Sequence, residues 1–402
     1  MIQNHHKPPF STLKGKKILV TGATGFIGGR VVERFVLEEG AEVVALVHQY
    51  RNAVRLARFP VRLIQGDVTN AECVAKAAEG CDAIVHAAVT FAGTAEQNQR
   101  VTVEGVRNVC ESAKKLGIRL VHFSTFSVYG ETPAGMMNED LIKNPAGDAY
   151  GSSKLEAEQL VQEYQAAGLQ ASILQPTVVY GPWSFWSTHA ARLVSTGTFM
   201  LPDLEQGLCN AVYVDDVVEA VLLCLKMEKC LCGPFLISGS EPVKWGEFLK
   251  GHAKNPADVT LERMSAEELA EFLPKGPVAE PLTLRTILPQ SFRYHLKGVL
   301  LEFPGFKLIY RKLGILRWLN QRSRQIVGAP KQQVMIKEKP QMQAAEKINK
   351  VYPGREHIPL FQSRTSISIE KASKELGYKP KFNLDSGTKL TRSWLEWANK
   401  YN

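Results

Sequence analysis

The 402-residue sequence predicts an α/β protein: a doubly wound parallel sheet, a smaller C-terminal α/β domain and a mostly helical insertion. Three observations predict the sheet. Short runs rich in Val, Ile and Leu alternate with longer segments of helical periodicity. The apolar runs lack polar alternation, as in parallel strands covered on both faces. The strand–helix alternation repeats often enough to require right-handed crossovers between neighbouring parallel strands.

The elements follow one another from residue 16 onward. The predicted strands of the first part are Lys16–Val20, Glu42–Val47, Val61–Gln65, Ala83–Ala87, Arg119–Phe123 and Ala171–Leu174. The predicted helices between them are Phe26–Glu39, Asn70–Glu79, Asn98–Leu116 and Tyr150–Ala167. Beyond Pro176 we expect a helix ending near Gly197, followed by four further elements. These are a strand Ala211–Val214, a helix Asp215–Met227, a strand Pro234–Ser238 and a closing helix Ser386–Asn399.

This rhythm predicts the domain organisation. Residues 1–14 are polar and are expected to form a flexible tail. Residues 15–180 are expected to form the first domain, which receives later segments near 208–238. Residues 181–402 are expected to form a second, substrate-binding region that includes a basic, apolar insertion near 255–350.

Composition excludes several classes of protein. The chain is 45% hydrophobic and 22% charged, which is ordinary for a globular protein. No run of about 18 uncharged apolar residues is present to span a bilayer. The start lacks the apolar core of a secretory signal, so a cytoplasmic location is expected. The seven cysteines are expected to be free thiols, and Cys230-x-Cys232 lacks a second pair at zinc-finger spacing, so we expect no metal.

Much of the net charge of +9 lies in the insertion. Residues 290–327 mix aromatic and aliphatic residues with Lys and Arg, and the only acidic residue there is Glu302. This pattern indicates either a membrane-surface element or a lid over a lipid-like substrate. The favoured alternative is a helical subdomain packed on the body, with Lys and Arg stems covering apolar surface. Nucleic acid is not expected because no recognition motif accompanies the charge, and a homodimer and peripheral membrane contact stay open.

A glycine-rich loop follows the first predicted strand. Thr21-Gly22-Ala23-Thr24-Gly25-Phe26-Ile27-Gly28 has the spacing G-x-x-G-x-x-G and opens the first predicted helix. Such glycines allow a tight turn and a close approach of backbone to a pyrophosphate, at a helix end that carries partial positive charge. The first domain is therefore predicted to be a Rossmann-type dinucleotide-binding domain, with Gly22, Thr24, Gly25, Phe26, Ile27 and Gly28 at the phosphates.

The choice between NAD and NADP depends on the end of the second strand. Val47 occupies the position where an acidic residue would hold the ribose hydroxyls of NAD. His48 and Arg51 lie within reach of a 2′-phosphate, so the sequence favours NADP slightly over NAD. After the third strand, Asp67 could accept the adenine amino group, with Val68 beside it.

A candidate catalytic pair opens the fourth predicted helix. Tyr150 and Lys154 are four residues apart and therefore share one helical face. We expect the Lys154 ammonium and the positive charge of the cofactor to lower the pKa of the Tyr150 phenol, so that Tyr150 can exchange a proton with an alcohol or ketone. The hydroxyl-rich segment from Ser124 to Tyr129 leaves the fifth strand at the same edge of the sheet.

Taken together, these motifs resemble the extended short-chain dehydrogenase/reductase superfamily, of the NAD(P)-dependent epimerase/dehydratase kind. The matching motifs are TGATGFIG (21–28), GDV (66–68), HAA (86–88), STFSVYG (124–130), YGSSK (150–154), PTVVYGP (176–182) and YVDDVVEA (213–220). The match covers roughly residues 16–250, with a further trace near the C-terminus.

The resemblance implies roles for particular residues. It implies Thr125 as a hydroxyl partner of the substrate, Tyr150 as the acid/base and Lys154 as its supporting cation. It further implies that two groups of residues line the cofactor and that two carboxylates cap the helix after the YVDD strand. These residues are His86, Ala87 and Ala88 on the pyrophosphate and ribose side, Pro176, Val178 and Val179 on the nicotinamide side, and Asp215 and Asp216 at the helix.

Departures from the family pattern narrow the expected chemistry. Sugar-nucleotide dehydratases of the family carry Asp-Glu after the catalytic Thr, whereas this chain has Phe126 and Ser127. Dehydration and decarboxylation are therefore disfavoured. Epimerases often carry a diphosphate-gripping Arg before the Y-V-D-D strand, whereas residues 208–211 contain none, which weakens but does not exclude a nucleotide-sugar substrate.

The predicted function is that of an NAD(P)-dependent oxidoreductase or epimerase moving hydride at a secondary alcohol or ketone carbon. The expected substrate is a sugar or nucleotide-sugar, because the resemblance implies a family whose members more often act on sugars. The alternative is a hydroxysteroid-dehydrogenase-like enzyme or carbonyl reductase acting on a hydrophobic alcohol or ketone. A second alternative is a non-catalytic NAD(P)-binding protein, which intact Thr125, Tyr150 and Lys154 disfavour.

Overall fold

A computed structural model describes residues 11–91, 93–145, 147–195, 197–272 and 350–398. Contacts group residues 1–266 and 348–402 into one compact unit and residues 267–347 into a second. Of the second unit, the structure describes residues 267–272. The insertion segment 290–327 and residues 1–10 of the predicted tail lie outside the described residues, and the predicted boundary near residue 180 stays a prediction.

The strands of the described residues, in chain order, are β1 (Lys17–Thr21), β2 (Glu42–Val47), β3 (Arg62–Gln65), β4 (Ala83–His86), β5 (Arg119–Phe123), β6 (Gly135–Met137), β7 (Ala171–Pro176), β8 (Val178–Tyr180), β9 (Thr198–Leu201), β10 (Leu208–Cys209), β11 (Ala211–Tyr213), β12 (Pro234–Ile237), β13 (Val243–Lys244), β14 (Leu261–Arg263), β15 (Lys350–Val351) and β16 (Thr365–Ile367).

The α-helices of the same residues are α1 (Phe26–Leu37), α2 (Ala71–Ala78), α3 (Ala95–Leu116), α4 (Ala149–Ala166), α5 (Phe185–Leu193), α6 (Val214–Lys226), α7 (Trp245–His252), α8 (Ala266–Phe272), α9 (Ile358–Gln362) and α10 (Leu384–Trp397). Short 3₁₀ turns cover Tyr50–Ala53, Phe126–Tyr129, Pro256–Asp258 and Arg355–His357, and a π turn covers Ala372–Leu376.

Seven parallel strands form the central sheet in the order β12-β7-β5-β4-β1-β2-β3. The order reverses next to β1, so the loops after β1 and β4 diverge there and open a crevice at the carboxyl edge, which is where such sheets bind ligands. The predicted doubly wound, Rossmann-type sheet is confirmed.

Both faces of the sheet are covered, as the unbroken apolar runs predict. Ile18 and Val20 of β1 join the cluster that includes α1 and α6, whereas Leu19 between them joins the cluster that includes α2, α3 and α4. All three side chains are fully buried. One strand thus supplies both cores by simple alternation of its side chains.

Helix α3 begins three residues before the predicted Asn98. The cause is a capping box: Thr94 Oγ1 accepts from the Gln97 backbone N–H at 3.2 Å, and Gln97 Oε1 accepts from the Thr94 N–H at 2.9 Å. The box satisfies two backbone donors at the helix start, which extends the helix beyond its apolar periodicity.

Short strands form four small sheets beyond the central one. β8 pairs with β11 in parallel, β10 with β13 in antiparallel, β9 lies between β14 and β15, and β6 pairs with β16. Most of these strands have two or three residues, which is too short for periodicity to predict. Residues of β8, β10 and β16 and the intervening Asn210 surround one small cavity.

The two carboxylates of the YVDD motif do not cap α6, which corrects the expectation drawn from the resemblance. Tyr213 is the N-cap residue and makes no side-chain capping bond. Asp215 instead accepts from Arg30 Nε at 2.6 Å, and Asp216 accepts from the backbone N–H groups of Lys381 and Phe382. Both residues are structural, but they join α6 to other segments rather than satisfying its own first turn.

Within the described part of the chain, no helix is long and apolar enough to cross a membrane.

Candidate active site

The glycine loop between β1 and α1 forms a cradle that leaves no room for side chains. Gly22 has φ +69°, and a Cβ there would lie 2.5 Å from the carbonyl carbon of Ala87 and 2.6 Å from the nitrogen of Ala88. A Cβ on Gly28 would lie 2.3 Å from the Gly22 carbonyl oxygen. The first turn of α1 carries no acidic residue and no side-chain cap, so its backbone N–H groups suit an anion. This cradle fits a dinucleotide pyrophosphate.

The residues predicted for the adenosine end lie where β2 and β3 terminate. Val47 is buried, whereas His48 is exposed and its Nε2 lies 3.9 Å from Asp67 Oδ2. The side chain of Arg51 donates from Nε to Gln49 at 2.7 Å. Asp67 Oδ1 accepts from the Thr69 N–H and hydroxyl, each at 2.9 Å. The side chains of His48, Arg51 and Asp67 therefore lie together on the exposed surface beyond the ends of β2 and β3, which we call the exposed corner.

Val68 has a different role from Asp67. Its side chain packs against Gly105 of α3, and its carbonyl oxygen accepts from Asn108 Nδ2 at 2.9 Å. Val68 therefore fixes the loop after β3 to α3.

Tyr150 lies in the first turn of α4, near the carboxyl edge of the sheet. Asp148 caps this helix by accepting from the Tyr150 backbone N–H at 2.9 Å, which fixes the turn that carries the phenol. The Tyr150 ring packs against Phe91, with 5.2 Å between ring centroids, and Phe91 itself is 71% exposed. Burial raises the pKa of Tyr150 to about 12, while a hydrogen bond with the Thr125 side chain opposes the rise.

Thr125 lies where β5 ends and caps the 3₁₀ turn that follows. Its hydroxyl accepts from the Ser127 backbone N–H at 3.2 Å and lies 3.3 Å from the Ser127 hydroxyl. The first turn of α4 packs on this 3₁₀ turn, since a Cβ on Gly151 would lie 2.7 Å from the Ser127 carbonyl oxygen.

Lys154 is buried one helical turn beyond Tyr150, and its Nζ donates to the carbonyl oxygen of Phe123. Burial lowers the pKa of Lys154 to about 8, and the nearby Glu158 carboxylate opposes that shift. In this structure burial raises the pKa of Tyr150, so its lowering by Lys154 together with a bound cofactor stays a prediction. The helical spacing places both residues on one face, but the ammonium is directed to the backbone of β5.

Two stacked histidines lie beside Lys154. His86 ends β4, His122 lies opposite it in β5, and their rings stack with centroids 5.5 Å apart. Thr21 Oγ1 hydrogen-bonds His86 Nδ1 at 2.7 Å. Burial lowers the pKa of His86 to about 3 and that of His122 well below its usual value, and the Lys154 charge adds to both shifts. Both imidazoles are therefore neutral at pH 7.

The sequence does not predict Glu158 as a site residue, but the structure places its carboxylate near Lys154. Glu158 on α4 is fully buried, accepts from Ser124 Oγ at 2.5 Å and Gln175 Nε2 at 2.9 Å, and pairs with Lys143 Nζ. A signal exists in the sequence, because Glu158 follows Lys154 by four residues and Tyr150 by eight, on the same helical face.

The residues expected on the nicotinamide side lie at and after the end of β7. Pro176 is the last residue of β7, and Val178 and Val179 belong to β8, which pairs with β11. Val178 and Val179 are buried. They contribute an apolar wall next to the strand end that carries Thr125.

A small cavity, with room for about one water molecule, lies beside Phe126, the residue after Thr125. Apolar side chains line most of it: Phe126, Val178, Leu208, Leu360 and Ile367. Its polar members are Thr132, Asn210, Ser363 and Thr365. Asn210 is engaged by the backbone of residues 365 and 367, and Thr365 bonds the Thr132 hydroxyl and the Pro133 carbonyl. None of the described residues that line the cavity is charged.

The sequence and the site agree with one family. The sequence model of the NAD dependent epimerase/dehydratase family matches residues 18–231, just over half of the chain. The chain belongs to this family, and the predicted superfamily is confirmed. The coarse prediction of an NAD-dependent enzyme of this family is confirmed as well.

Named relatives in the family differ in chemistry. Sterol demethylase protein B of Methylococcus capsulatus is 29% identical over 59% of this chain and 75% of its own length. The 2-alkyl-3-oxoalkanoate reductase of Shewanella oneidensis is 29% identical over 57% of this chain and 63% of its own. The dTDP-glucose 4,6-dehydratase of Mycobacterium tuberculosis is 32% identical over 51% and 67%. The presence of dehydratases counts against the expectation that disfavours dehydration.

Solved structures share the fold. UDP-glucose 4-epimerase of Thermotoga maritima, solved with UDP-glucose, has a TM-score of 0.60 at 20% identity, over 95% of this chain and 99% of its own. UDP-glucuronic acid 4-epimerase of Bacillus cereus, solved with NAD, has a TM-score of 0.60 at 20% identity, over 96% and 98%. At these identities the likeness establishes the fold alone.

Proposed function

We propose that this protein is an NAD(P)-dependent oxidoreductase that moves hydride at a secondary alcohol or ketone carbon, with Tyr150 as the proton donor and acceptor. The observation that carries the proposal is the close packing of the first turn of α4, which holds Tyr150, on the 3₁₀ turn that Thr125 caps: a Cβ on Gly151 would lie 2.7 Å from the Ser127 carbonyl oxygen. Family membership supports the same class of reaction.

The protonation states give Tyr150, Thr125 and Lys154 different roles at the reacting oxygen. Tyr150, with its pKa raised to about 12, holds its proton at pH 7 and can donate it to a ketone oxygen as that oxygen gains charge. Thr125 offers a second hydroxyl to the same oxygen. Lys154 holds α4 on β5 and supplies positive charge nearby, which favours a negative oxygen. A bound nicotinamide would supply or accept the hydride.

For the cofactor, we propose NADP in preference to NAD. Support comes from the buried Val47, which offers no carboxylate to ribose hydroxyls, and from His48 and Arg51 at the exposed corner beyond it. Competitive binding of NADPH and NADH to wild type and to Arg51→Ala tests this. Weaker NADPH binding in the variant, with NADH unchanged, is expected; equal binding of both cofactors by wild type would reject the preference.

Two substrate classes have separate support. A sugar or nucleotide-sugar is supported by the dTDP-glucose dehydratase among the relatives. A hydrophobic alcohol or ketone is supported by sterol demethylase protein B and the 2-alkyl-3-oxoalkanoate reductase among the relatives, and by residues 208–211, which hold no arginine for a diphosphate. The nearby Arg364 is engaged by Asp203 at 2.8 and 3.1 Å.

Dehydration stays open beside simple hydride transfer, because dehydratases are among the relatives, whereas Phe126 and Ser127 place no carboxylic acid directly after Thr125. Incubation with dTDP-glucose and analysis of the product mass would reveal any loss of water.

The decisive experiment for the reaction is Tyr150→Phe, with Tyr164→Phe on the same helix as the matched control. Tyr164 contacts Glu111 at 3.0 Å, on a part of α4 far from Thr125. We expect kcat to fall about 10²- to 10⁴-fold in Tyr150→Phe, with NADPH affinity retained and the control unchanged. Unchanged turnover in Tyr150→Phe would reject the proposed role.

The substrate class is tested by NADPH oxidation with two panels, 3-oxo compounds with long alkyl or steroid skeletons and 4-keto nucleotide-sugars. Turnover confined to the first panel supports the hydrophobic class. Turnover confined to the second supports the nucleotide-sugar class and shows that a diphosphate binds without an arginine in residues 208–211. Phe126→Ala should raise KM for long alkyl ketones by a larger factor than it lowers kcat.

A further inference from the structure

Glu158 is a buried carboxylate that the proposed chemistry leaves unexplained. Its side chain is fully buried in α4, where an ionised group needs strong partners. It has three: the Ser124 hydroxyl at 2.5 Å, the Gln175 amide at 2.9 Å and the Lys143 ammonium. Gln175 in turn accepts from the Tyr129 hydroxyl at 2.9 Å. A core carboxylate with this many donors is held in one place.

The partners come from the elements that carry the candidate active site. Ser124 immediately precedes Thr125 at the end of β5, and Gln175 immediately precedes Pro176 at the end of β7. Glu158 itself shares a helical face with Tyr150 and Lys154. One carboxylate therefore joins α4 to the two strand ends that border the reacting atoms.

Its charge acts on the same site. Lys154 lies one turn away on α4, and the Glu158 carboxylate favours the charged form of that ammonium. Burial opposes the charged form, and the two imidazoles beside Lys154, His86 on β4 and His122 on β5, are neutral and supply no charge. Two other titratable groups lie around Glu158: Lys143, which precedes α4, and Tyr129. The Glu139 and Asp140 carboxylates also face Tyr129.

We propose that Glu158 is a positioning residue of the active site: its carboxylate fixes α4 to the ends of β5 and β7 and keeps Lys154 protonated. The expected effect of Glu158 on catalysis rests on the proposed function. Its effect on the charge of Lys154 does not depend on that function. Glu158 touches neither the cavity beside Phe126 nor the glycine cradle among the described residues, so it acts through the residues that it holds.

The test measures the titration of Lys154 directly by NMR in protein labelled with [ε-¹³C]lysine, with the signal assigned by its absence from Lys154→Met. In Glu158→Gln, which keeps size and loses charge, the midpoint should move below the wild-type value by about one pH unit. Lys143→Gln should move it upward, because it removes a competing cation. Glu156→Gln, an exposed residue of the same helix that contacts Gln99, is the matched control and should leave it unchanged.

The pH–rate profile gives the catalytic readout, using NADPH and the ketone substrate found by the panels. In Glu158→Gln the alkaline limb should move to lower pH by the same amount as the Lys154 midpoint, while Glu156→Gln follows wild type. An unmoved Lys154 midpoint in both Glu158→Gln and Lys143→Gln would overturn the proposal. If Glu158→Gln does not fold, Lys143→Gln decides the question alone. A wild type without turnover would reject the proposed function but leave the Lys154 result standing.

Discussion

Lys154 donates its hydrogen bond to the carbonyl oxygen of Phe123, at the end of β5, and not to the hydroxyl of Tyr150. The ammonium therefore holds the helix against the strand whose next residues are Ser124 and Thr125. The same burial lowers the pKa of Lys154 to about 8, which places its titration close to neutral pH. Its charge state then depends on whichever neighbours the fold supplies.

Gly28→Ala should disable cofactor binding without unfolding the protein. A Cβ at position 28 would lie 2.3 Å from the Gly22 carbonyl oxygen, and backbone rather than a flexible side chain would have to move. We expect the Kd for NADPH to rise at least about tenfold, about 1.4 kcal/mol, by fluorescence titration. Gly246→Ala in α7 is the control, since its nearest neighbour is a Leu261 methyl at 3.2 Å. Equal NADPH affinity in wild type, Gly28→Ala and Gly246→Ala would contradict the proposal that the glycine loop binds the cofactor.

Asp216→Ala should destabilise the fold through the C-terminal segment. The buried carboxylate accepts from the backbone N–H groups of Lys381 at 2.7 Å and Phe382 at 3.1 Å. Its removal leaves two donors without that acceptor, so we expect a loss of about 2–4 kcal/mol in the free energy of unfolding, measured with urea. Asp258→Ala, at an exposed position bonded to Asn255, should lose less than about 0.5 kcal/mol. A loss of similar size in both variants would contradict this account.

The central fold could be predicted from the sequence because apolar runs and helical periods are local signals. The bounds of β2 and β5 agree with prediction residue for residue. Contacts of side chains are different, since they depend on segments that are distant in sequence. The spacing of Tyr150 and Lys154 gives a shared helical face, but the partner of Lys154 comes from β5.

Glu158 illustrates the same limit. Its position on the face of Tyr150 and Lys154 is visible in the sequence, yet a glutamate in a helix is usually exposed. Its partners Ser124 and Gln175 come from strands 34 and 17 residues away in sequence. Only the assembled sheet brings them to the carboxylate, so its role could not be predicted from the pattern alone.

Cys232 should be more reactive than the chain's buried thiols. A hydrogen bond from the Cys230 thiol lowers the pKa of Cys232 to about 6, and its side chain is exposed. Burial raises the pKa of Cys224 to about 12 and that of Cys209 well above its usual value. Iodoacetamide at pH 7, followed by peptide mass spectrometry, should label Cys232 before Cys209 or Cys224.

Cys230→Ala separates this explanation from simple exposure. The variant removes the donor and leaves Cys232 in place, so the pH at which Cys232 labelling is half-maximal should rise. An unchanged midpoint would show that exposure alone accounts for the reactivity.

His252 should make the fold sensitive to acid. Its buried ring is satisfied in the neutral form: Nδ1 donates to the Phe248 carbonyl at 2.8 Å, and Nε2 lies 3.2 Å from the Ser187 hydroxyl, which already accepts from the Gly181 N–H. Burial lowers the pKa of His252 to about 4, below the value near 6.5 of an unfolded chain. Between those values the unfolded state binds more protons, so stability is complete above about pH 6.5 and is lost as the pH falls toward 4.

Urea unfolding between pH 7.5 and 4.5 measures this loss. The contribution of His252 approaches about 1.4 kcal/mol per pH unit, and His86 and His122 add to it in the same direction. His252→Gln should therefore be less stable than wild type at pH 7.5 but lose less stability on acidification. His48→Gln, at an exposed position, should retain the wild-type slope. A wild-type slope in His252→Gln would contradict this account, because it would mean that the imidazole has the same pKa in the folded and the unfolded protein and contributes no pH dependence.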